Sequence, residues 1–325
     1  MNPTADISPT ERRLGGLWGN LIGDALGVPV EFEDRPTLRE YPVTAMREYG
    51  KHDQPRGTWS DDGALTLCTV DSLLNHEFAL DDMGERFVRW MNAGLWTAWG
   101  EPFDVGMATS DALLRIANGT PAAKAGGCDE YSNGNGSLMR ILPVALRFAA
   151  ESDEAFAQRI ETASAITHGH ARSRMACVFF GLMIRQLMFG WKPKPALDSV
   201  RSEFANWYGR SAEIARFRHL LEDDLVSLPE PEIVSTGYVL HTLHASLWCL
   251  LTTQNFSDCV LKAVNLGGDS DTTGCVAGGL AGVAYGMRSI PVDWISQLAR
   301  KNDVERLLRE FADLCERAKA KRSAS

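Results

Sequence analysis

The chain has 325 residues, 45% apolar and 23% charged, with a formal net charge of −9. That composition is soluble and globular, and an acidic balance without a Lys/Arg stripe argues against a nucleic-acid or anionic-membrane surface. The seven dispersed cysteines form no C-x-x-C pair, which argues against a disulfide frame or zinc site and predicts buried thiols in a reducing compartment. Met1–Asp6 lacks a basic segment and apolar core, and no apolar run reaches transmembrane length. The expectation is a cytoplasmic monomer.

Ser8-Pro9-Thr10-Glu11 predicts a capped helix start, with a hydroxyl cap, proline at the first helical position and a carboxylate three residues on. Leu14, Leu17, Trp18, Leu21, Ile22, Ala25 and Leu26 then mark an apolar face. Gly15, Gly19, Gly23 and Gly27 form a second stripe. Each interior glycine costs helix propensity, about 0.8–1 kcal/mol against alanine, so the stripe predicts close approach of another backbone. The glycine-rich helix after Thr272 is the expected partner. From Val28 to Gly57 four prolines and crowded charges predict a long loop without helix or strand. Glu31 falls in it and reads as solvated unless the loop folds over a pocket.

Gly57-Thr58-Trp59-Ser60-Asp61-Asp62-Gly63 runs into an apolar helix, Ala64 to Val70. Further helices are expected at Leu80–Trp90 and at Ala108–Asn118, the latter entered through Pro102-Phe103-Asp104-Val105-Gly106. Trp90, Trp96 and Trp99 read as core or lining residues. Gly126 to Ser137, which includes Ser132, Asn133, Gly134, Asn135 and Gly136, cannot be regular. With helical pattern resuming over Leu138–Pro143, it is either an anion cradle or a turn. Ile166–His170 separates two helices, and His168 reads there as a capping or packing residue. Met175–Met188 and Thr236–Leu251 are predicted long helices, the second carrying His241 and His244 on one face. The basic end is expected to fray over 317–325. With almost no strand pattern and no linker, residues 1–325 are expected to form a single all-α domain.

Asn265 to Gly274 repeats the logic of the 57–63 stretch. Gly267 and Gly268 free the backbone, then Asp269, Asp271 and Thr272 open a charge-free small-residue helix. Either cluster alone reads first as an N-cap favoured by the helix dipole. Together they offer four carboxylates and two hydroxyls, hard oxygen ligands sufficient for two octahedral ions that keep some water.

These residues resemble the ADP-ribosylglycohydrolase family, which includes the dinitrogenase reductase-activating glycohydrolases. The resemblance rests on Gly23-Asp24-Ala25-Leu26-Gly27 with Val30-Glu31-Phe32, on Trp59-Ser60-Asp61-Asp62, and on Phe103-Asp104-Val105-Gly106. It continues through Gly134-Asn135-Gly136-Ser137-Leu138-Met139-Arg140, Thr167-His168 and Gly267-Gly268-Asp269-Ser270-Asp271-Thr272. It implies an orthogonal all-α bundle with two Mg²⁺ or Mn²⁺ ions on Ser60, Asp61, Asp62, Asp269, Asp271 and Thr272. It also implies hydrolytic removal of ADP-ribose from a modified protein side chain, arginine foremost, through an oxocarbenium-like transition state. Asp104 would relay a proton and Glu31 would gate or assist. The 132–136 loop would hold ribose and diphosphate, with His168 in the same pocket. Two departures stand out. Gly63 replaces a threonine common among relatives, and His241 replaces an acid that would favour a guanidinium leaving group. Two other readings remain: a hydrolase of a free ADP-ribose derivative or other nucleotide, and a non-catalytic, crystallin-like or ADP-ribose-binding relative.

Overall fold

The glycine spacing of the first helix decides how the molecule is assembled. The computed structural model describes residues 7–324, with side chains described through 318. Met1–Asp6, on which the expectation about a leader rests, lies outside the described residues. Ser8 caps helix α1 (Pro9–Gly27): its hydroxyl accepts the Glu11 N–H at 3.1 Å, and the Glu11 carboxylate accepts the Ser8 N–H at 3.2 Å. The following helices are α2 (Arg35–Glu40), α3 (Asp61–Asn75), α4 (Leu80–Ala93), α5 (Met107–Ala117), α6 (Leu142–Phe148), α7 (Asp153–Ala165) and α8 (Ala171–Met188). After them come α9 (Pro193–Tyr208), α10 (Arg218–Glu222), α11 (Val239–Leu251), α12 (Phe256–Val264), α13 (Ser270–Tyr285), α14 (Val292–Gln297) and α15 (Lys301–Ala324). Among the described residues there is no strand, only isolated bridges. The fold is all-α, as the sequence implied.

α1 and α13 lie against each other in antiparallel register. A Cβ on Gly15 would collide with the Gly282 carbonyl, one on Gly19 with that of Gly278, and one on Gly23 with that of Gly274. The predicted stripe is therefore a backbone-to-backbone seam. α13 is buried from Ser270 to Ala284, which explains why it carries no polar face: a helix surrounded by protein has no side to give to water. At the end of the seam, Gly27 abuts the backbone of Asp271. The seam thus delivers the exit of α1 to the entrance of α13.

Several local expectations change. Residues 28–57 are not wholly irregular, because Asp34 caps α2 by accepting the Thr37 N–H at 2.8 Å, with Pro36 inside the first turn. The Asp34-x-Pro36 signal was present and the surrounding prolines hid it. α6 begins at Leu142 rather than Leu138. Trp99 is exposed and donates to the Thr58 hydroxyl at 2.6 Å, whereas Trp90 is core. Six cysteines are buried, but Cys128 is exposed. α15 takes in residues 317–324 of the tail expected to fray, and Ser325 lies outside the described residues. No helix among the described residues is long and apolar enough to cross a membrane.

Candidate active site

Asp24 organises the first acidic cluster. It continues the Leu14-Leu17-Leu21 stripe of α1 and is fully buried. Its carboxylate accepts the Ser60 N–H at 3.0 and 3.1 Å and the Gly63 N–H at 2.8 Å. These bonds fix the turn that starts α3. Ser60 is the N-cap, its hydroxyl accepting the Asp62 N–H at 3.3 Å. Asp61 and Asp62 lie in the first helical turn, both buried.

The second cluster forms where Gly267 and Gly268, both at positive φ (73° and 67°), turn the chain into α13. Such backbone favours glycine, and a Cβ on Gly268 would also collide with the Ser235 carbonyl. Asp269 occupies the N-cap position yet makes no capping bond. Its Oδ2 accepts instead from the Asn135 amide at 2.9 Å, and its Oδ1 is buried without a partner. Asp271 Oδ2 and, across the site, Asp62 Oδ2 are likewise buried and unpartnered. The Thr272 hydroxyl points at Asp62 Oδ1, 3.4 Å away, joining the two clusters. Capping thus accounts for Ser60 but not for these carboxylates.

The loop after α1 closes over this centre. The Phe32 N–H donates to the Gly268 carbonyl at 2.7 Å and the Gly268 N–H to the Glu33 carbonyl at 3.0 Å. Glu31 is consequently 3% exposed, not solvated. It offers an oxygen within 4.8 Å of oxygens from Asp269 and Asp271, and another such group comprises Glu31, His52 and Asp104. His52 Nε2 bonds the Glu31 carboxylate, and its ring packs on Phe103 with centroids 5.2 Å apart. Asp104 has φ 56°, an unusual setting for a non-glycine residue, and its carboxylate lies beside that of Asp271.

The 126–137 loop forms the far wall. Gly134 bridges Tyr238 at the entrance to α11, the Asn135 N–H donates to the Gly237 carbonyl at 3.0 Å, and the Val239 N–H to the Asn133 carbonyl at 3.1 Å. Asn135 also donates to the Thr242 hydroxyl at 2.9 Å. Of the expected binding residues, Asn135 therefore touches the carboxylate centre directly. Ser132 and Asn133 spend their side chains inside the wall, Ser132 donating to Asp129 at 2.9 Å and Asn133 accepting from Ser173 at 3.1 Å. His168 lies beneath Gly134 and Gly136, buried. His241 and His244 face a separate cavity of about 290 Å³ with His219, Asp223 and Tyr238, and none of the carboxylate cluster lines it.

The electrostatics of the centre are one-sided. Burial, and then acidic neighbours, push Asp61, Asp62 and Asp271 well above the ordinary carboxylate range. Burial raises Asp24 and Glu31 to about 7, although hydrogen bonds from the Ser60 and Gly63 backbone to Asp24 and from His52 to Glu31 work against it. Asp104 is raised by burial too. Crowded buried carboxylates with orphaned oxygens need protons or a cation. An all-oxygen donor set of this kind fits Mg²⁺ or Mn²⁺. Asp24 and His52 are the two contributors that sequence reading gave no role. An acid on an apolar helix stripe was a usable signal for Asp24, whereas nothing local marked His52.

An all-α fold that converges two acidic helix starts and a buried glutamate on one centre describes a class of hydrolase. The chain belongs to the ADP-ribosylglycohydrolase family, whose model matches residues 5–321. It is 30% identical over 311 residues to the ADP-ribosylarginine hydrolase Tri1 of Pseudomonas putida, covering 93% of this chain and 78% of that protein. It is also 30% identical over 314 residues to the ADP-ribosyl-(dinitrogen reductase) glycohydrolase of Rhodospirillum rubrum, covering 93% and 95%. Among solved structures, an ADP-ribosylglycohydrolase-related protein complex superposes with a TM-score of 0.79 at 32% identity, over 95% of this chain and 99% of that one.

Proposed function

We propose that this protein is a divalent-metal-dependent hydrolase that releases ADP-ribose from ADP-ribosylated arginine side chains. The observation that carries the reading is the set of buried, unpartnered oxygens on Asp62, Asp269 and Asp271, facing one another from two helix starts. Ser60, Asp61, Asp62, Asp269, Asp271 and Thr272 would hold two Mg²⁺ or Mn²⁺ ions. When bound, these supply Lewis-acid charge at the ribose. Arginine is favoured as acceptor because relatives that cover most of this chain are named for ADP-ribosylarginine.

Water adds to the anomeric carbon of the ribose as the bond to the guanidine nitrogen breaks, through an oxocarbenium-like transition state. Asp104, whose burial lets it carry a proton more readily than an ordinary aspartate, relays one from the attacking water to the departing guanidine. Glu31, tied down by His52, covers the ribose and keeps bulk water out. Asn135 holds Asp269 in place, and the 132–136 loop receives the ribose and diphosphate.

The test is ADP-ribose release from matched arginine-, serine- and acetyl-linked substrates, with and without Mg²⁺ or Mn²⁺. Metal-dependent release that favours the arginine linkage supports the proposal. Release only from a free ADP-ribose derivative, or undiminished release by protein stripped of metal to the limit of elemental analysis, overturns it.

A further inference from the structure

Arg140 is a fully buried guanidinium without a carboxylate partner among the described residues. It donates to the Ala163 carbonyl at 3.2 and 3.3 Å and to the Thr167 hydroxyl at 2.7 Å, and it stacks over the Phe87 ring at 4.6 Å. An unpaired buried cation is costly and is kept where something depends on it. Thr167 shows what that is. Its oxygen lies 2.9 Å from His168 Nδ1, and no other hydrogen bond of its side chain is found among the described residues.

The donor inventory then fixes the protons. Arginine can only donate, so the Thr167 oxygen accepts from it. The Thr167 proton has one partner available, His168 Nδ1, and leaving a buried hydroxyl proton unpaired would be unfavourable. Nδ1 therefore accepts, and in a neutral imidazole the ring proton sits on Nε2. Burial, followed by the charge of Arg140, lowers the His168 pKa to about 3, so the ring is neutral. Nε2 has no hydrogen-bond partner among the described residues. A Cβ on Gly134 would stand 3.3 Å from Nε2, and one on Gly136 would stand 2.9 Å from Cε1. The imidazole edge thus lies against two residues without side chains, flanking the Asn135 that bonds Asp269.

We propose that Arg140, acting through the Thr167 hydroxyl, is a positioning residue that locks His168 as the Nε2–H tautomer, presenting a neutral donor to an acceptor oxygen of bound ADP-ribose at Gly134–Gly136. The inference rests on the functional reading only for the identity of the ligand. A neutral donor can select an oxygen without adding a second fixed charge beside the metal-binding carboxylates. The proton lies on the ligand side because the guanidinium occupies the other side and cannot accept one.

The experiment is long-range ¹H–¹⁵N correlation NMR of the histidines, with His168 assigned through His168→Gln, joined to calorimetric titration with ADP-ribose and with ADP. The wild type is expected to show the Nε2–H pattern without ligand. Thr167→Ser should keep that pattern. Thr167→Val should lose it and weaken ADP-ribose binding about tenfold, the loss of one hydrogen bond of about 1.4 kcal/mol. An equal loss for ADP would assign the contact to the diphosphate, and no loss for ADP would assign it to the distal ribose. Arg140→Met is expected to shift the tautomer in the same way, but the Thr167 pair decides the matter if that variant does not fold. An Nδ1–H pattern in the wild type, or an unchanged tautomer in Thr167→Val, overturns the lock. An intact lock with no change in affinity for either ligand overturns the donor role. Failure of the wild type to bind ADP-ribose would overturn both the donor role and the functional reading, while the spectrum would still decide the lock.

Discussion

The Asp24 carboxylate accepts the Gly63 N–H at 2.8 Å, and a Cβ at position 63 would stand only 2.9 Å from the same Asp24 oxygen. It would also meet Trp59 Cβ at 2.8 Å and Leu21 Cδ2 at 2.9 Å. Gly63 is thus fitted to its surroundings in this chain. Gly63→Thr is expected to destabilise the fold by about 1–3 kcal/mol through overpacking, read as a fall in Tm. An unchanged Tm would mean that the Asp24 turn relaxes freely.

Asp24→Asn should act on the metal without touching it. One acceptor oxygen becomes a donor facing backbone N–H groups, at a cost of about 1–3 kcal/mol, and the turn carrying Ser60, Asp61 and Asp62 loosens. The expected result in calorimetry is at least a tenfold loss of Mn²⁺ affinity together with a lower Tm. A lower Tm with undiminished affinity would limit Asp24 to folding.

Metal removal should expose a defined pH dependence. In the metal-free fold, Asp24 and Glu31 hold their protons up to about 7, well above the ordinary 3.8 and 4.5. The folded state therefore binds protons that the unfolded chain has already released. The resulting stabilisation is full below about pH 4 and is lost as pH rises through about 7. His52, raised by its bond to Glu31, contributes with the same sign. Stripped protein should melt at progressively lower temperature across that range, and Mg²⁺ or Mn²⁺ should raise Tm more at pH 8 than at pH 5. A Tm at pH 8 that chelation does not alter would contradict this.

Glu31→Gln removes one charge from the crowd while keeping the shape. The Tm of the metal-free variant at pH 8 should hold or rise, whereas kcat of the metal-loaded variant should fall by about 10²-fold or more. Wild-type turnover in the variant would reduce Glu31 to a loop anchor.

Asp104→Asn suits the backbone, because asparagine accepts left-handed φ as aspartate does. The variant should fold, retain its metal and bind ADP-ribose, with kcat reduced about 10²-fold and Kd nearly unchanged. Loss of metal would reassign Asp104 to holding the centre together beside Asp271.

The sequence was most legible where periodicity met space. Gly15, Gly19 and Gly23 recur every fourth residue, and that spacing alone foretold a backbone partner. The repeated acid–hydroxyl pattern at Ser60 and Asp269 foretold two facing helix starts. Asp24 carries the same periodic information, since it extends the Leu14-Leu17-Leu21 stripe, but its acidic side chain hid a position that behaves as core. The burial of Glu31 and of His52 was illegible for another reason. Their burial comes from loop backbone bonds such as Phe32 to Gly268, which link parts of the chain far apart in sequence and have no period. His241 kept its helix face but looks into the neighbouring cavity. That outcome depends on how α11 is rotated, a matter of packing that spacing alone does not encode.

The α1–α13 seam also governs when the protein can come into being. Arg12 at one end of α1 bonds the Val283 carbonyl at 2.9 Å, 271 residues away along the chain. During synthesis, the first helix leaves the ribosome with its glycine face bare, long before its partner is translated. Closing so long a loop carries an entropic cost that early contacts cannot offset. A ribosome stalled between α3 and α13 therefore holds a chain with half of its acidic centre and no mate for its first helix. Such a nascent chain exposes surface of the kind that favours aggregation and completes its acidic centre only late in synthesis.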